Sequence, residues 1–493
     1  MRRNMNVALA SLGLLLGTAA CNGFLTGDKL SSDPNQPSAA SIQQLFVGVQ
    51  AGQFAFQEGT VPMMICMWVQ ACGGTNGRFV EQAGRYFFGE GSNIGANGGD
   101  WALVYDGGGL VDIRQVEVDA RAIGDSGYLA IAKIWEALTM GTASDQWGNI
   151  PYSQVTVSPT PPLDNRFAVL DSVQKLLDQA IAELNFANTD TVHKGPLTAD
   201  LVFGGDYTKW IPAAWTLKAR YYVHTAESLG TGAYTNAINA ALNGISDASG
   251  KSDLRAFHTT ASAERNMWGA FQSSSSFGQD VIAGKFLVDI MNGRSDPRLP
   301  AYFCKNLLGG YGGQDFNTPQ PNNTVSTFQC KPLRFGDTYR MPYVSYFENE
   351  LILAEAYSAT GDDGSALIHL NNERRLYVNT VYPPTAGPPA TAALPLLSGI
   401  TGPALFDSIM VEKYVAMFQN METVNDYRRT CIPAVTVVIN TAGFKNVPGR
   451  LFYPRSERNV NSNIPDPSAQ LGVSGHYFRN QGDVTACTVQ TAP

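Results

Sequence analysis

The chain has 493 residues, of which 44% are hydrophobic, so it is long enough to bury a large core or several subdomains. Its net charge of -8 and the lack of any Lys/Arg-rich run argue against a nucleic-acid partner, which would favour a basic surface. Only 15% of the residues are charged, and the 49 glycines and 27 prolines indicate many loops.

The chain begins with the pattern of an export signal. Two arginines give a positive start, an apolar segment over 7–16 is too short to span a bilayer, and small residues lead to Cys21. This order resembles a bacterial lipoprotein signal, in which the cysteine is acylated and becomes the new N-terminus. We therefore expect residues 1–20 to be a signal peptide and Cys21 to be the lipid anchor. An ordinary secretory peptide is the alternative.

The segment 21–41 follows as a short leader. It is rich in Ser, Asp, Pro, Asn and Gly, so burial cannot offset the entropy of ordering it, and we predict a flexible tether. Residues 42–493 are predicted to form one domain. They contain no sustained apolar run long enough for a membrane helix, so we expect lipid alone to attach the protein to a membrane.

Apolar residues recur at helical spacing through much of this domain, which predicts an all-α fold. The longest apolar stripe runs from Val169 to Leu184 and indicates a helix over 167–185. Three further segments show the same period: 101–118, 127–142 and 207–229.

A helical hairpin is predicted between residues 344 and 377. Phe347 and Leu351 share one face of a first helix, Leu370 belongs to a second, and Thr-Gly-Asp-Asp at 360–363 can turn the chain between them. Small residues at the crossing permit close approach, as in tetratricopeptide (TPR) hairpins, although no strict repeat of about 34 residues is present. We therefore expect TPR-like hairpins and not a regular solenoid.

The helical period fades between about residues 244 and 342. This segment contains a serine run at 273–276 and a glycine cluster at 309–313. A second irregular stretch covers 381–403. Because loops this long in a compact protein are either functional or disordered, we interpret 244–342 as an irregular insertion in the helical body.

Six cysteines remain once Cys21 is set aside as the anchor. An even number in an exported chain predicts disulfides, and the economical pairing joins neighbours along the chain. A metal site is the weaker alternative, because the sequence has neither a C-x-x-C pair nor a His cluster near these cysteines. We predict no metal and no cofactor, and three disulfides: Cys66–Cys72, Cys304–Cys330 and Cys431–Cys487.

Five short phrases stand out along the chain. They are Asp145-Gln146-Trp147-Gly148-Asn149-Ile150-Pro151-Tyr152, the segment from Gly204 to Arg220, Asp296-Pro297-Arg298-Leu299, Glu412-Lys413-Tyr414 with Arg428-Arg429-Thr430, and the segment from Pro448 to Asn459. In this order, behind a lipoprotein signal, they resemble the SusD/RagB family of outer-membrane nutrient-binding lipoproteins, most closely its SusD-like starch-binding branch. The resemblance covers nearly the whole mature chain. We interpret the phrases as structural, since phrases shared across a family of varied ligands mark the fold.

Two residues in the late phrase depart from the family pattern. Val424 stands where many relatives have Trp, and Cys431 replaces the usual Gly, which suggests a local disulfide with Cys487. Arg428 and Arg429 suit either pairing with nearby carboxylates or contact with a ligand.

The resemblance implies a fold, a location and an activity. The fold would be an α-helical body with four TPR-like hairpins and an irregular ligand-facing side. The protein would be lipid-anchored in the outer membrane, facing the cell exterior, where it binds a glycan without cleaving it and delivers it to a SusC-like TonB-dependent transporter. A peptide-binding importer subunit of the same family is the alternative. A helical glycoside hydrolase is a weaker one, because carboxylates are available but no catalytic motif is present.

Ligand contacts are expected from aromatic side chains on loops, because sugars stack their C–H faces on flat rings while their hydroxyls need polar partners. Trp268 is the first candidate, since it lies in an irregular Ser-rich stretch beside Gln272 and Ser273. For every candidate the alternative is packing in the core. The full set is Trp268, Tyr311, Trp68, Tyr86, Phe277 and Trp101.

Replacing the predicted anchor tests the signal. Cys21→Ser should give an exported protein that no longer sediments with membranes, because the acyl chains supply the membrane affinity. Fractionation after a salt wash measures this, with the unsubstituted chain as the control. Membrane retention of Cys21→Ser would contradict the prediction.

Overall fold

Helices dominate the structure, a computed structural model that describes residues 40–87, 89–90, 99–375, 394–436, 438, 447–470 and 487. The predictions for the signal peptide, for Cys21 and for most of the leader lie outside the described residues. Among the helices that are described, none combines the length with the hydropathy that a membrane span requires. The mostly helical architecture confirms the predicted all-α class.

The elements are numbered in chain order. Short turns of other kinds are a π-helix (Arg78–Gly84) and 3₁₀ turns (Leu197–Ala199, Asn322–Thr324, Leu333–Phe335). The α-helices are α1 (Ile42–Glu58), α2 (Thr60–Trp68), α3 (Gly99–Tyr105), α4 (Leu110–Ile123), α5 (Ser126–Trp147), α6 (Arg166–Ala187), α7 (Tyr207–Val223), α8 (Ala226–Leu229), α9 (Thr231–Ala241), α10 (Met267–Gln272), α11 (Lys285–Gly293), α12 (Leu299–Tyr302), α13 (Tyr346–Ala359), α14 (Asp363–Arg374), α15 (Gly402–Ala416), α16 (Glu422–Thr430), α17 (Arg455–Val460) and α18 (Pro467–Gln470).

Four short strands form two antiparallel pairs among the described residues. They are β1 (Cys72–Gly74) with β3 (Val281–Ala283), and β2 (Leu254–Arg255) with β4 (Pro342–Val344). In the first pair Cys72 lies opposite Ala283, and in the second Leu254 lies opposite Val344. Each pair therefore joins distant parts of the chain.

Side-chain caps fix where the long helices begin. At α1 the Ser41 Oγ accepts from the Gln44 N–H at 3.3 Å, while Gln44 Oε1 accepts from the Ser41 N–H at 3.0 Å. Asp125 accepts from two backbone N–H groups at the start of α5. Asn165 and Asp206 each accept from one backbone N–H group, at the starts of α6 and α7 respectively. These caps satisfy N–H groups that have no partner inside the helix.

The long helices pack mainly against their neighbours in the chain. Helix α4 packs on α5, α5 on α6, α6 on α7, and α7 on α9. Helix α9 also contacts α13, which packs on both α14 and α15. This row of paired helices agrees with the predicted TPR-like body.

The predicted hairpin of 344–377 is present as α13 and α14. Gly361 between them has φ +87°, a left-handed conformation that glycine adopts without steric cost. Asp362 then caps α14 by accepting from the Ser365 N–H at 3.0 Å. The buried face of the pair is apolar, with Leu351 packed in one cluster with Leu370.

Two predicted helices are shorter than expected. The helix expected over 101–118 is divided into α3 and α4, because Gly107 and Gly108 have φ +58° and +98°, which no α-helix can contain. The helix expected over 207–229 ends at Val223, and the short α8 follows it.

The segment 244–342 contains more order than its sequence suggests. It carries β2, β3 and α10 to α12, and its aromatic residues belong to the main hydrophobic core of the protein. The Phe328 and Phe335 rings stack at 4.0 Å between centroids, and Phe418, two residues after α15, packs against both. The segment is thus a packed part of the body, because long-range aromatic contacts replace helical periodicity.

All three predicted disulfides are present. Their Cα–Cα distances are 5.2 Å for Cys66–Cys72, 5.9 Å for Cys304–Cys330 and 5.1 Å for Cys431–Cys487. The second bridge lies within the segment 244–342, and the third joins Cys487 to Cys431, which directly follows α16. Neighbour pairing is therefore confirmed.

A buried ion-pair cluster surrounds His224 at the end of α7. Its two ring nitrogens each lie 2.6 Å from a carboxylate oxygen, one of Asp145 and one of Glu422. Asp145 also pairs with Arg166 at 2.6 Å, and Glu422 lies 3.9 Å from Arg220. Burial disfavours the imidazolium ion, but the two carboxylates outweigh it and raise the pKa of His224 to about 9.

Two further charged clusters lie in the same body. Glu412 accepts from Arg298 at 2.6 Å and from Arg294 at 3.0 Å, and Arg298 also pairs with Asp296 at 2.8 Å. The neighbouring Lys413 belongs to the second cluster. Its members are Lys413, Glu355, Asp426 and Arg429, with donor–acceptor distances from 2.6 to 2.9 Å.

Arg429 is thus a structural residue that pairs inside the protein. Arg428 is buried too, and its Nη1 donates to the carbonyls of Asp145 and Gly449 at 2.7 and 3.0 Å. Both side chains of this phrase are engaged within the fold.

The His224 cluster predicts a loss of stability at alkaline pH. Because the pKa of His224 is about 9 in the folded protein and about 6.5 when unfolded, its stabilisation is complete below pH ~6.5 and is lost as the pH rises through about 9. The loss should be on the order of 3 kcal/mol. Denaturant unfolding at neutral and alkaline pH measures it. His224→Gln should be less stable at neutral pH and lack this dependence, and an equal alkaline loss in that variant would contradict the assignment.

Candidate functional site

Four of the six predicted ligand-binding aromatics are core residues. Trp68 and Tyr86 have no exposed surface, Trp268 is 1% exposed, and Trp101 is 4% exposed. A ring that other side chains enclose cannot stack on a sugar. We therefore no longer assign ligand stacking to these four residues.

Trp268 is the main correction. The sequence suggests an irregular stretch, but Trp268 lies in the short helix α10, whose start Asn266 caps by accepting from the Gly269 N–H at 2.9 Å. The indole packs edge-on against Phe335 at 5.8 Å and near Phe418 at 6.5 Å. These partners are remote in sequence, so the local Ser-rich context gives no sign of them.

The other buried candidates also have internal partners. The Tyr86 hydroxyl donates to the Trp68 carbonyl at 3.1 Å, so these two residues lie together. Trp101 Nε1 donates to Glu457 Oε2 at 3.3 Å, and its ring meets Trp147 edge-on at 5.3 Å.

Phe277 and Tyr311 remain accessible. Phe277 is 46% exposed, and Tyr311 is half-buried, with its carbonyl accepting from Asn292 Nδ2 at 3.1 Å. Phe87, beside the buried Tyr86, is 56% exposed. These rings, not the tryptophans, supply flat apolar surface to solvent.

Side-chain and backbone contacts connect the segments that carry these exposed rings, and we call these segments together the aromatic–polar face. It is held together where β1 pairs with β3 and where Arg85 contacts the segment 314–317. We define it by Arg78, Arg85, Phe87, Phe277, Tyr311 and residues 314–317.

A cation fixes the position of Phe277. The Arg78 guanidinium lies 5.3 Å from the centre of the Phe277 ring and 4.8 Å from that of Phe79, and 3.7 Å from Asp280. The backbone below is ordered, because the Phe277 N–H donates to Ser274 Oγ at 3.3 Å and its carbonyl accepts from the Asp280 N–H at 2.9 Å. Cation–π contact and backbone bonds thus present this ring without burying it.

The π-helix Arg78–Gly84 positions the other half of the face. Arg85 follows it, pairs with Glu81 at 2.7 Å, and donates from Nε and Nη2 to the Phe316 carbonyl at 3.1 and 2.8 Å. The Phe87 N–H donates to the Glu81 carbonyl at 2.9 Å. π-Helical turns are uncommon and often lie at functional sites.

A small cleft of about 60 Å³ adjoins this segment. Its walls combine amide and carboxylate groups with a lysine and aromatic rings: Gln70, Lys285, Asp289, Gln314, Phe316 and Asn317. Such groups can both donate to and accept from hydroxyl groups. Among the described residues there is no group of three or more His, Cys, Asp or Glu side chains able to hold a metal ion.

Sequence reasoning selected Phe277 and Tyr311 but missed Arg78, Arg85 and the segment 314–317. Arg78 is the first residue of a π-helix and Arg85 follows its last residue, and a π-helix has no recognisable sequence period. The segment 314–317, directly after the glycine cluster, has the sequence Gln-Asp-Phe-Asn. Its combination of polar and aromatic side chains was the sequence feature that could have indicated this part of the face.

Exposed rings, guanidinium groups and amides are the groups that commonly line ligand-binding sites. A family model described as "Starch-binding associating with outer membrane" matches residues 34–372. This match spans more than half of the chain, so the chain belongs to the SusD-like family, as the sequence phrases predicted. Family members bind ligands and are not catalytic, which confirms the prediction that the protein is not an enzyme. The family is associated with the outer membrane.

Solved structures share this fold. A SusD-like protein from Bacteroides thetaiotaomicron is 20% identical, with 90% of this chain and 99% of that chain covered and a TM-score of 0.68. A chitin-binding SusD homolog from Flavobacterium johnsoniae is 18% identical, with 90% and 99% covered and a TM-score of 0.71. A SusD homolog from Bacteroides fragilis is 16% identical, with 90% and 98% covered and a TM-score of 0.69. No curated protein matches the chain.

Paired substitutions separate core aromatics from surface aromatics. Trp268→Ala should lower the free energy of unfolding by about 3–5 kcal/mol, because it leaves a cavity among packed rings. Phe277→Ala should change it by less than about 1 kcal/mol, because the ring is half-exposed. Denaturant unfolding of the oxidised proteins measures both. Similar losses for the two variants would contradict the burial described here.

Proposed function

We propose that the protein captures an oligosaccharide at the cell surface through its aromatic–polar face. The observation that carries this proposal is the exposed Phe277 ring beside the Arg78 guanidinium, together with the exposed Phe87, two residues after Arg85. Stacking would bury the apolar face of a sugar, and the charged and amide groups would bond its hydroxyls.

Membership of the SusD-like family supports a glycan as the ligand. The family description refers to starch, and the similar protein from Flavobacterium johnsoniae binds chitin, so the glycan class differs among relatives. The face of this chain is open and mixed in polarity, which suits an extended chain of sugars lying across it. We infer capture without bond cleavage.

We further propose that the protein is a lipoprotein that passes its ligand to a SusC-like TonB-dependent transporter. The family's association with the outer membrane and the lipoprotein-like signal support this. In this proposal residues 1–20 are removed, Cys21 carries the lipid, 21–41 is the tether and 42–493 is one domain. One hydrophobic core that contains both Phe46 and Ile464 supports the single domain.

Binding assays on two phenylalanine variants test the ligand site. Phe277→Ala should weaken oligosaccharide binding roughly tenfold, because one stacking contact is lost, while the melting temperature stays unchanged. Phe186→Ala is the matched control, since Phe186 is an exposed ring on α6 outside the face and its loss should not alter affinity. Calorimetric titration with starch and chitin oligosaccharides measures both.

The same titrations distinguish the alternatives. Binding of peptides but of no glycan would reject the proposed ligand class. Release of shortened sugars during incubation would reject capture without cleavage. Equal affinity of the wild-type protein and Phe277→Ala would reject the assigned face.

A further inference from the structure

Four large apolar residues are exposed at one end of the helical body. They are Ile123, Phe186, Val192 and Leu197, and each is about half exposed or more. A single exposed apolar residue is ordinary on a protein surface, but a group of them at one place marks a contact with a partner. We call these four residues the apolar end.

The packing of α4, α5 and α6 places two of them together. Ile123 is the last residue of α4, and α5 begins three positions later. Two ion pairs join α6 to α5 in antiparallel order: Arg166–Asp145 at 2.6 Å and Lys133–Glu183 at 2.5 Å. Phe186, in the last turn of α6, therefore lies at the same end of the body as Ile123.

The loop after α6 carries the other two residues and is fixed to the same end. The Asp190 carboxylate accepts from the Val192 N–H at 2.8 Å. The Gly195 N–H donates to Asp125 Oδ2 at 3.1 Å, and Asp125 also caps the start of α5. Leu197 follows two positions later. The apolar side chains are thus displayed by ordered backbone.

The exposed charges beside the apolar end are positive. Lys194 is exposed in the same loop, and the Arg121 side chain near the end of α4 is half exposed although it pairs with Glu117 at 2.7 Å. The Asp190 side chain is only 12% exposed, because the loop encloses it. Apolar residues flanked by exposed cations are typical of surfaces that meet lipid, where hydrocarbon lies beneath phosphate headgroups.

The proposed tether meets the body at this end. Helix α1 runs parallel to α5, because Phe46 contacts Tyr128 at 5.4 Å near the start of both helices, and Phe54 contacts Trp135 at 6.0 Å farther along. The first residue of α1, Ile42, therefore lies at the end of the body that carries the apolar residues.

The length of the tether restricts which end of the body can approach a membrane. About twenty residues separate Cys21 from α1. A flexible tether of that length has a root-mean-square span of about 25 Å, whereas a helix of 22 residues such as α5 is about 33 Å long. A lipid on Cys21 would thus hold the start of α1 nearer to the membrane than the opposite end of α5.

We propose that the apolar end contacts the lipid surface of the membrane, with its four apolar side chains at the boundary between headgroups and acyl chains. This inference rests on the proposed lipid anchor: the lipid attaches the protein, and the apolar end orients it. Four residues suit this role better than contact with another protein, because a stable protein interface takes about 20–30 residues from each partner.

Quenching by brominated lipids tests the proposal. The chain from Cys21 onward, without acyl groups, is coupled through the Cys21 thiol to maleimide lipids in phosphatidylcholine vesicles, with or without bromine on the acyl chains. Val192→Trp adds an indole at the apolar end. Val157→Trp is the matched control, because Val157 and Val192 are 79% and 77% exposed and Val157 lies in the loop after the opposite end of α5.

Bromine quenches an indole that enters the hydrocarbon. Brominated vesicles should remove about half or more of the emission that Val192→Trp adds, and none of the emission that Val157→Trp adds. Ile123→Asp in the Val192→Trp protein should abolish the quenching, because a charge opposes insertion into lipid. Val460→Asp should not, although Val460 is likewise an exposed last residue of a helix, in α17 beside the loop after α5.

Three results would overturn the assignment. They are the absence of quenching in Val192→Trp, equal quenching in Val192→Trp and Val157→Trp, and quenching that Ile123→Asp leaves intact. A dimer of the uncoupled protein that Ile123→Asp dissociates would assign the apolar end to a second copy instead. Because the maleimide supplies the anchor, these results do not depend on acylation in the cell, which fractionation of Cys21→Ser tests separately.

Discussion

Asp145 carries its charge in the dry interior of the protein, and it can do so only because His224 and Arg166 each lie 2.6 Å from it. Transfer of a lone carboxylate from water would cost several kcal/mol, so each member of the cluster requires the others. The same holds for Glu412 and Glu355, each held by two or more cations. These clusters join side chains that come from different helices of the body.

The clusters also give a physical meaning to the phrases that carry the family resemblance. Asp145 opens the first phrase, Arg220 closes the second, Asp296 and Arg298 form the third, and the pair Glu412-Lys413 begins the fourth. Their side chains are buried and paired with one another or with carboxylates and cations nearby. Such phrases therefore describe how the body is held together, whereas the ligand face can vary independently.

Local sequence patterns predicted the helices well but predicted poorly which aromatic rings are exposed. The difference is whether the deciding contacts are close or distant in the sequence. The stripe in 167–185 and the turn at Gly361 are set by residues close in sequence, so spacing and turn chemistry indicated them. Burial of Trp268 depends on Phe335 and Phe418, which lie far along the chain. The exposed Phe277 ring contacts Arg78, which lies nearly two hundred positions earlier. The residues that flank each ring in the sequence do not indicate these long-range contacts.

The end of α5 is completed by residues near the end of the described chain. The Gln146 carbonyl accepts from the Leu451 N–H at 2.6 Å, and Trp147 Nε1 donates to the Phe452 carbonyl at 3.1 Å. A chain that emerges N-terminus first must therefore leave the ring of Trp147 and these polar groups unmatched until some three hundred further residues have followed. Folding of the body can be completed only after nearly the whole chain has been made, and a chain cut short before Leu451 would leave these groups unmatched.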